Sequence, residues 1–250
     1  MTDVLVCVKR VPDVSGEVAL TADGQALDTG QLGFTISDHE ACAVELAVRI
    51  ATDTGGTATV ATIGTAEAVE QLRNALAIGC TAAVHVVADP AALGPADVAR
   101  ELAEVARDHD LVLLGNDAAD TGDFQVGIRL AYALGRPVVN GVSTVEVEDG
   151  VAVARGEGPD GHETFRVPLP AVVTILEGGV EPRYPSVPGR MKAKKVAIDE
   201  RAVTGEPAGA GRVAYTLPPP VSSDVQILGE GAAAAPAVVD LFERIGVLAK

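Results

Sequence analysis

The chain has 250 residues, a formal net charge of −16, 48% hydrophobic and 3% aromatic residues, and no Trp. That charge leaves no basic surface broad enough to neutralise many phosphates, which excludes a nucleic-acid-binding protein. No apolar run approaches the roughly 20 residues needed to span a bilayer, so no membrane insertion is expected, and the composition is globular rather than disordered.

With so few aromatics the core must be built of Val, Ala, Leu and Ile. Those residues suit buried parallel strands covered by Ala-rich helices. The length allows one large α/β domain or two small ones. The first residues, MTDVLVCVKR, enter a strand at once with no basic leader and no cleavage site, so the expected location is the cytoplasm. Cys7, Cys42 and Cys80 form no CxxC, and His39, His85, His109 and His162 have no metal-ligand spacing. Buried, inert thiols and no metal site are expected.

Val4–Val8 is a short apolar run that reads as a buried first strand. Ser15–Gly33, rich in Gly, Asp and Thr, reads as a loop or small hairpin. Ser37-Asp38-His39-Glu40 fits a capping box, in which the Ser hydroxyl takes the amide three residues on and the Glu reaches back. Ala43, Val44, Ala47, Val48 and Ala51 recur at helical spacing, which predicts a helix to about Thr52, stopped by Gly55-Gly56. Strand Ala58–Ile63, helix Thr65–Ile78 closed by Gly79, and strand Ala83–Val87 follow. Gly94-Pro95 opens a helix to about Asp108, with Pro where the first turn tolerates it. Asp110–Leu114 is the fourth strand, and the loop Asp117–Gly122 leads into a helix through Leu134. Strands alternating with such helices predict a doubly wound parallel sheet.

From Ser143 the period changes. Thr144–Glu148 and Val151–Arg155 flank Asp149-Gly150, a strong hairpin signal, and His162–Val167 adds a third antiparallel strand. Leu169–Leu176 is strand-like. Glu181–Lys195 (EPRYPSVPGRMKAKK) holds Pro182, Pro185 and Pro188, which predicts an extended surface loop rather than a helix or inner strand. Its basic residues Arg183, Arg190, Lys192, Lys194 and Lys195 reverse the sign of the chain. Val196–Asp199 reads as a short returning strand. Arg201–Gly231 cannot pack a core and reads as an extended arm. Ala235–Leu248 carries Val238, Val239, Leu241, Phe242 and Ile245 at helical spacing, a stripe suited to a partner subunit. The expected division is a nucleotide-binding domain over 1–200, including the 181–195 loop, and an arm with its helix over 201–250.

In an open parallel sheet, ligands bind past the carboxyl ends of the strands where strand order reverses. Were the first and fourth strands neighbours, that point would hold Cys7, Lys9, Gly115 and Asn116, with Ile63 at the end of the second strand. The loop Asp117–Asp123 enters a helix whose free amides offer a phosphate cradle. Thr121 can add a hydroxyl and Gly122 permits close approach, with Phe124, Gln125 and Val126 at the helix start. Asp120 and Asp123 are awkward beside phosphate and read better as caps of that helix. No GxxxxGK[ST] or GxGxxG occurs, and no side chain pairs as nucleophile and base, so no catalytic residue is assigned.

The run LPAVVT–EPRY–MKAKK resembles the signature of the electron transfer flavoprotein beta subunit. VKRVPD (8–13), AVELAVRI (43–50), ALAIGCTAAVHV (75–86), LLGNDAADTGDFQVG (113–127) and the final LFERIGVL resemble further segments of that family in order. The resemblance implies an adenine-nucleotide-binding, Rossmann-like fold paired with an alpha subunit that carries most of an FAD site. It also implies AMP held in this chain's own crevice, with Asp120, Gln125 and Gly127 matching a phosphate-binding D-x-x-x-x-Q-x-G pattern. Ser37, Asp38 and His39 stand where many members have an Asn-led run and, with Glu40, are counted among the cofactor-binding residues; His39 is read as a solvated first-turn side chain and, alternatively, as a proton-transfer group. The loop is implied to dock on flavin-dependent dehydrogenases such as those oxidising acyl-CoA, linking the chain to fatty acid oxidation, with a membrane-bound quinone reductase as acceptor. There Val187 is the apolar anchor, flanked by Tyr184, Pro188 and Met191 and by the basic residues named above. Two alternatives remain: a bifurcating relative with a second FAD in place of AMP, and a stand-alone adenine-nucleotide protein of the stress-response type. An ATP-cleaving ligase of related fold lacks its Ser-Gly-Gly loop here.

Overall fold

The protein is described by a computed structural model covering residues 1–14, 18–211, 214–219 and 225–248. It divides into two compact units, Met1–Ala214 and Tyr215–Lys250.

In the first unit the chain runs β1 (Val4–Cys7), a short ribbon β2 (Val11–Pro12) with β3 (Phe34–Thr35), α1 (Asp38–Thr54), β4 (Ala58–Gly64), α2 (Val69–Ile78), β5 (Ala82–Val87), α3 (Pro95–Ala106), β6 (Leu111–Gly115) and α4 (Val126–Leu134). It continues through β7 (Val138–Val142), β8 (Thr144–Glu148), β9 (Val151–Gly158), β10 (Gly161–Pro168), β11 (Ala171–Ile175), α5 (Val187–Ala193) and β12 (Ile198–Ala202). The seven-stranded sheet has the order β12-β5-β4-β1-β6-β11-β7 and is parallel throughout. Every residue of β1, β4 and β11 is buried, as expected for apolar strands covered on both faces. One core cluster joins the sheet to α1 and α2, and the other joins it to α3 and α4. β8, β9 and β10 form the separate antiparallel sheet, turning at Asp149-Gly150, both at positive φ.

The direction of the chain reverses between β1 and β6, which are hydrogen-bonded neighbours. The ordinal reading of the first and fourth predicted strands is therefore correct. The capping box also forms: Ser37 Oγ accepts from the Glu40 amide at 3.2 Å and Glu40 Oε2 accepts from the Ser37 amide at 2.9 Å. Gly55 closes α1 in the left-handed conformation.

Two expectations need correction, and one strand lies where none was expected. Val138–Val142 is a strand, in which Gly141 takes φ +73 and the register against β11 shifts between Val173 and Ile175, so it is irregular. Val187–Ala193 is a helix rather than extended chain. Ser186 caps it by accepting from the Gly189 amide at 3.1 Å, and Pro188 lies in the first turn, where no intrahelical N–H is needed. Finally, β12 runs on to Ala202 and pairs with β5 at the sheet edge, beyond the predicted end at Asp199.

Residues 203–211 then cross the start of α3. Asp97 Oδ1 and Oδ2 accept from the amides of Ala208 and Gly209 at 2.9 Å, and Glu101 Oε2 accepts from the Thr204 amide at 2.7 Å. A Cβ on Gly94 would stand 2.2 Å from the Gly209 carbonyl, so only glycine lets the strap lie there. The amides of Ala208, Gly94 and Gly209, with Arg100, hold the Asp97 carboxyl down to about 2. The small-hairpin reading of Ser15–Gly33 is met in part by the bridge Leu20–Leu27; Ser15, Gly16 and Glu17 lie outside the described residues.

In the second unit, α6 (Ala235–Arg244) follows a single 3-10 turn, and no residue of it is buried. Residues 212–213 and 220–224 of the predicted arm, and 249–250 at its end, lie outside the described residues.

Candidate nucleotide site at the switch point

A cleft opens past the carboxyl ends of β1 and β6. Of the residues named from sequence, it is lined by Cys7, Lys9, Glu40, Ile63, Gly115, Asn116, Thr121, Asp123, Phe124, Gln125, Val126 and Gly127. Another part of its wall is apolar: Leu93 just before α3, Pro95, Val98 and Leu102 from the start of α3, and Leu114 from β6. Sequence reading missed that wall because α3 follows a strand three places from β6. The signal available was the apolar pair Val98 and Leu102 on a helix that opens with Gly94-Pro95, with Leu93 just before it.

The polar end of the cleft is built on α4. Its N-cap is Gln125, and among the described residues no side-chain hydrogen bond caps its first turn. The Gln125 Oε1 atom instead accepts from Arg129 Nε and Nη2 at 3.0 and 2.8 Å. Asp120 does not cap α4 either: its Oδ1 lies 2.7 Å from Lys9 Nζ. The expectation that Asp120 and Asp123 cap this helix is therefore incorrect, and the partial positive charge of its N-terminus stays open to a ligand. Gly122 at φ +57 and Phe124 at φ +53 turn the loop that delivers it. A left-handed phenylalanine is a costly conformation, held by the segments around it.

Close packing brings α4 to the strand ends. A Cβ on Gly127 would stand 2.3 Å from Thr174 Cγ2, and one on Gly115 would stand 2.8 Å from Glu40 Cγ. Thr174 Oγ1 accepts from the Gly141 amide at 2.8 Å and lies 2.8 and 3.0 Å from Asn116 Oδ1 and Asn140 Oδ1. Its single proton serves one amide, and the other amide turns its NH₂ to the hydroxyl.

Glu40 forms the floor. Its two oxygens accept from the amides of Lys9 at 2.7 Å and Ser37 at 2.9 Å, joining the end of β1 to the start of α1. Burial pushes its carboxyl up to about 8, against those two amides, which favour the anion. Burial likewise raises the Cys7 thiol, and all three cysteines are free and buried as expected.

Ser37, Asp38, His39, Asp120 and Gly122 stand behind or beside the lining. Ser37 is spent on capping and Asp38 is exposed. His39 is not the solvated side chain expected: Nδ1 lies 2.7 Å from Asp117 Oδ1, and Nε2 pairs with Glu177. Among the described residues, no cluster suits a metal ion, and no helix is long and apolar enough to cross a membrane.

In the loop read as a docking segment, Tyr184, Val187 and Met191 are exposed, and no ion pair engages Arg190, Lys192, Lys194 or Lys195 among the described residues. Pro188 lies in the first turn of α5. Arg183 is committed elsewhere, with Nε and Nη2 both 2.7 Å from Glu45. Burial alone would raise the Glu45 carboxyl; the guanidiniums of Arg183 and Arg49 override it and hold it below its usual value.

Fold and cleft together define a doubly wound α/β protein with a cleft at the sheet's switch point, which joins an uncapped helix end to an apolar slot. The family model for the electron transfer flavoprotein domain matches residues 26–206. The chain is 34% identical over 234 residues to "Electron transfer flavoprotein subunit beta" of Syntrophomonas wolfei, covering 91% of this chain and 90% of that one. It is 34% identical to the protein of that name from Bacillus subtilis (79% of this chain, 78% of the relative) and 38% to that from Homo sapiens (78% and 79%). The chain belongs to the electron transfer flavoprotein beta-subunit family, and its role is in electron transfer.

Proposed function

We propose that this chain is the beta subunit of a heterodimeric electron transfer flavoprotein. It binds AMP in the switch-point cleft, helps hold an FAD carried mostly by the alpha subunit, and accepts electrons from flavin-dependent dehydrogenases such as those oxidising acyl-CoA. The observation that carries this reading is the collinear match to a beta subunit over nine-tenths of both chains. The three free thiols suit a reducing compartment such as the cytoplasm.

The residues present fit a nucleotide. The apolar wall of Leu93, Val98 and Leu114 suits a purine face, and the uncapped first turn of α4 suits a phosphate. Lys9 reaches the same cleft and is held by Asp120. Below about pH 8 the neutral Glu40 carboxyl puts no negative charge beside the phosphate. The flavin, when bound, supplies the electron-accepting chemistry. The chain's own residues orient the nucleotide and present the loop. At that loop Val187 is the apolar anchor, while Arg190, Lys192, Lys194 and Lys195 steer a dehydrogenase of opposite charge.

The test is flavin reduction in the heterodimer by an acyl-CoA dehydrogenase and its substrate. Val187→Asp raises the half-saturating dehydrogenase concentration by about tenfold, the usual cost of losing a small anchor, and leaves flavin content intact. Unchanged kinetics would remove the loop from the docking role.

A further inference from the structure

The segment after β11 is laced onto α1. His39 Nε2 pairs with Glu177, Cys42 Sγ donates to the Val180 carbonyl at 3.5 Å, and Glu45 takes Arg183. The contacts advance by three residues on both partners. The last is the strongest. Glu45 Oε2 accepts from Arg183 Nε at 2.7 Å, and Oε1 accepts from Arg183 Nη2 at 2.7 Å and Arg49 Nε at 2.6 Å. The Glu45 side chain is 2% exposed, while Arg183 is half exposed. A two-pronged pair against a buried carboxylate fixes direction as well as distance.

The far end of the segment is fixed on α2. Arg73 Nη1 donates to the carbonyls of Ala193 at 2.5 Å and Val196 at 2.6 Å, just past α5. A Cβ on Gly189 would lie 2.3 Å from the Ala77 carbonyl, so α5 rests directly on α2. Between these anchors stand Tyr184, Val187 and Met191, exposed by 94%, 73% and 65%. Apolar side chains that exposed lack burial to hold them, so their placement depends on the backbone beneath.

We propose that Glu45 is a positioning residue for the docking surface: by gripping Arg183 it sets the chain that carries Tyr184 and Val187 before a partner arrives. This rests on the docking reading given above. Arg183 is then an internal strut, and long-range attraction falls to Arg190, Lys192, Lys194 and Lys195. A surface ordered in advance saves the partner the entropy of ordering it, so the effect belongs in the affinity of the encounter and not in the electron-transfer step.

The experiment uses the heterodimer with Glu45→Gln, with Arg183→Lys, which keeps the charge but cannot form the fork, and with Val187→Asp. Two readouts are taken: trypsin cleavage after position 183 relative to cleavage after Arg190, and flavin reduction across a range of acyl-CoA dehydrogenase concentrations. For Glu45→Gln and Arg183→Lys, cleavage after position 183 rises about fivefold or more and half-saturation rises by a similar factor, with the limiting rate unchanged. Half-saturation unchanged in both, while Val187→Asp raises it, overturns the positioning role and leaves the docking reading standing. A fall in the limiting rate alone also overturns it. No effect of Val187→Asp overturns the docking reading and this inference with it.

Discussion

Gly127→Ala tests how closely α4 must pack for the cleft to exist. The added Cβ would stand 2.3 Å from Thr174 Cγ2, more than 1 Å inside the ordinary carbon contact of about 3.5–4 Å. Two escapes are open. Thr174 can rotate, but its hydroxyl is tied to the Gly141 amide and lies against Asn116 and Asn140, each contact worth about 1 kcal/mol. Alternatively α4 retreats from β11, and its free first-turn amides leave the cleft. Replacing glycine within a helix returns up to about 1 kcal/mol, so the net destabilisation is about 1–3 kcal/mol, the usual cost of overpacking. The assay is the thermal midpoint of the heterodimer at one protein concentration, which falls by about 2–4 °C for each kcal/mol. The same sample's nucleotide content is expected to fall. Thr174→Ser removes the methyl that the new Cβ meets and keeps the hydroxyl. Gly127→Ala/Thr174→Ser therefore recovers most of the loss. A double variant no better than Gly127→Ala alone would refute the reasoning, since the contact would not be the cause.

Two further outcomes are expected. The Glu40 carboxyl is raised from 4.5 to about 8, so its contribution to stability is fully present below pH 4.5 and is lost as pH rises through 8. Urea midpoints measured from pH 5 to 9 should fall less steeply for Glu40→Gln than for the wild type; parallel curves would mean that Glu40 ionises normally. Asp97 is lowered to about 2, so the grip on the strap is present above its ordinary value and lost as pH falls through 2. Asp97→Ala should speed hydrogen exchange at the amides of Ala208 and Gly209 at neutral pH, and unchanged protection there would show that the strap is held by other contacts.

Much of the parallel sheet was legible because its signals are local: apolar runs, a capping box at Ser37 and Glu40, glycine stops at Gly55 and Gly79. The switch point followed once the common doubly wound strand order was assumed, and the sheet has that order at β1 and β6. What escaped was set by partners distant in sequence. Glu45 lies outside the apolar stripe of α1 and was not singled out from sequence, yet it is buried and paired with Arg183 from the segment that follows β11. Asp120 has the composition of a cap, but Lys9, from the end of β1, claims it. The helix at Val187–Ala193 was hidden by proline counting, which ignores that a first-turn proline needs no amide partner. The strand at Val138–Val142 was not named from sequence, and in the structure it is irregular, with Gly141 at φ +73. His39 illustrates the limit most plainly, since its two carboxylate neighbours come from the loops after β6 and β11.

The central claim is that the switch-point cleft holds AMP in a chain that shares one FAD with an alpha subunit. The most direct measurement is to co-express the two chains, denature the purified heterodimer, and identify and count the released nucleotides by chromatography. The account predicts one FAD and one AMP per heterodimer. Two FAD with no AMP would contradict it in favour of a bifurcating flavoprotein, and neither nucleotide, with no stable heterodimer, would contradict the electron-carrier reading altogether.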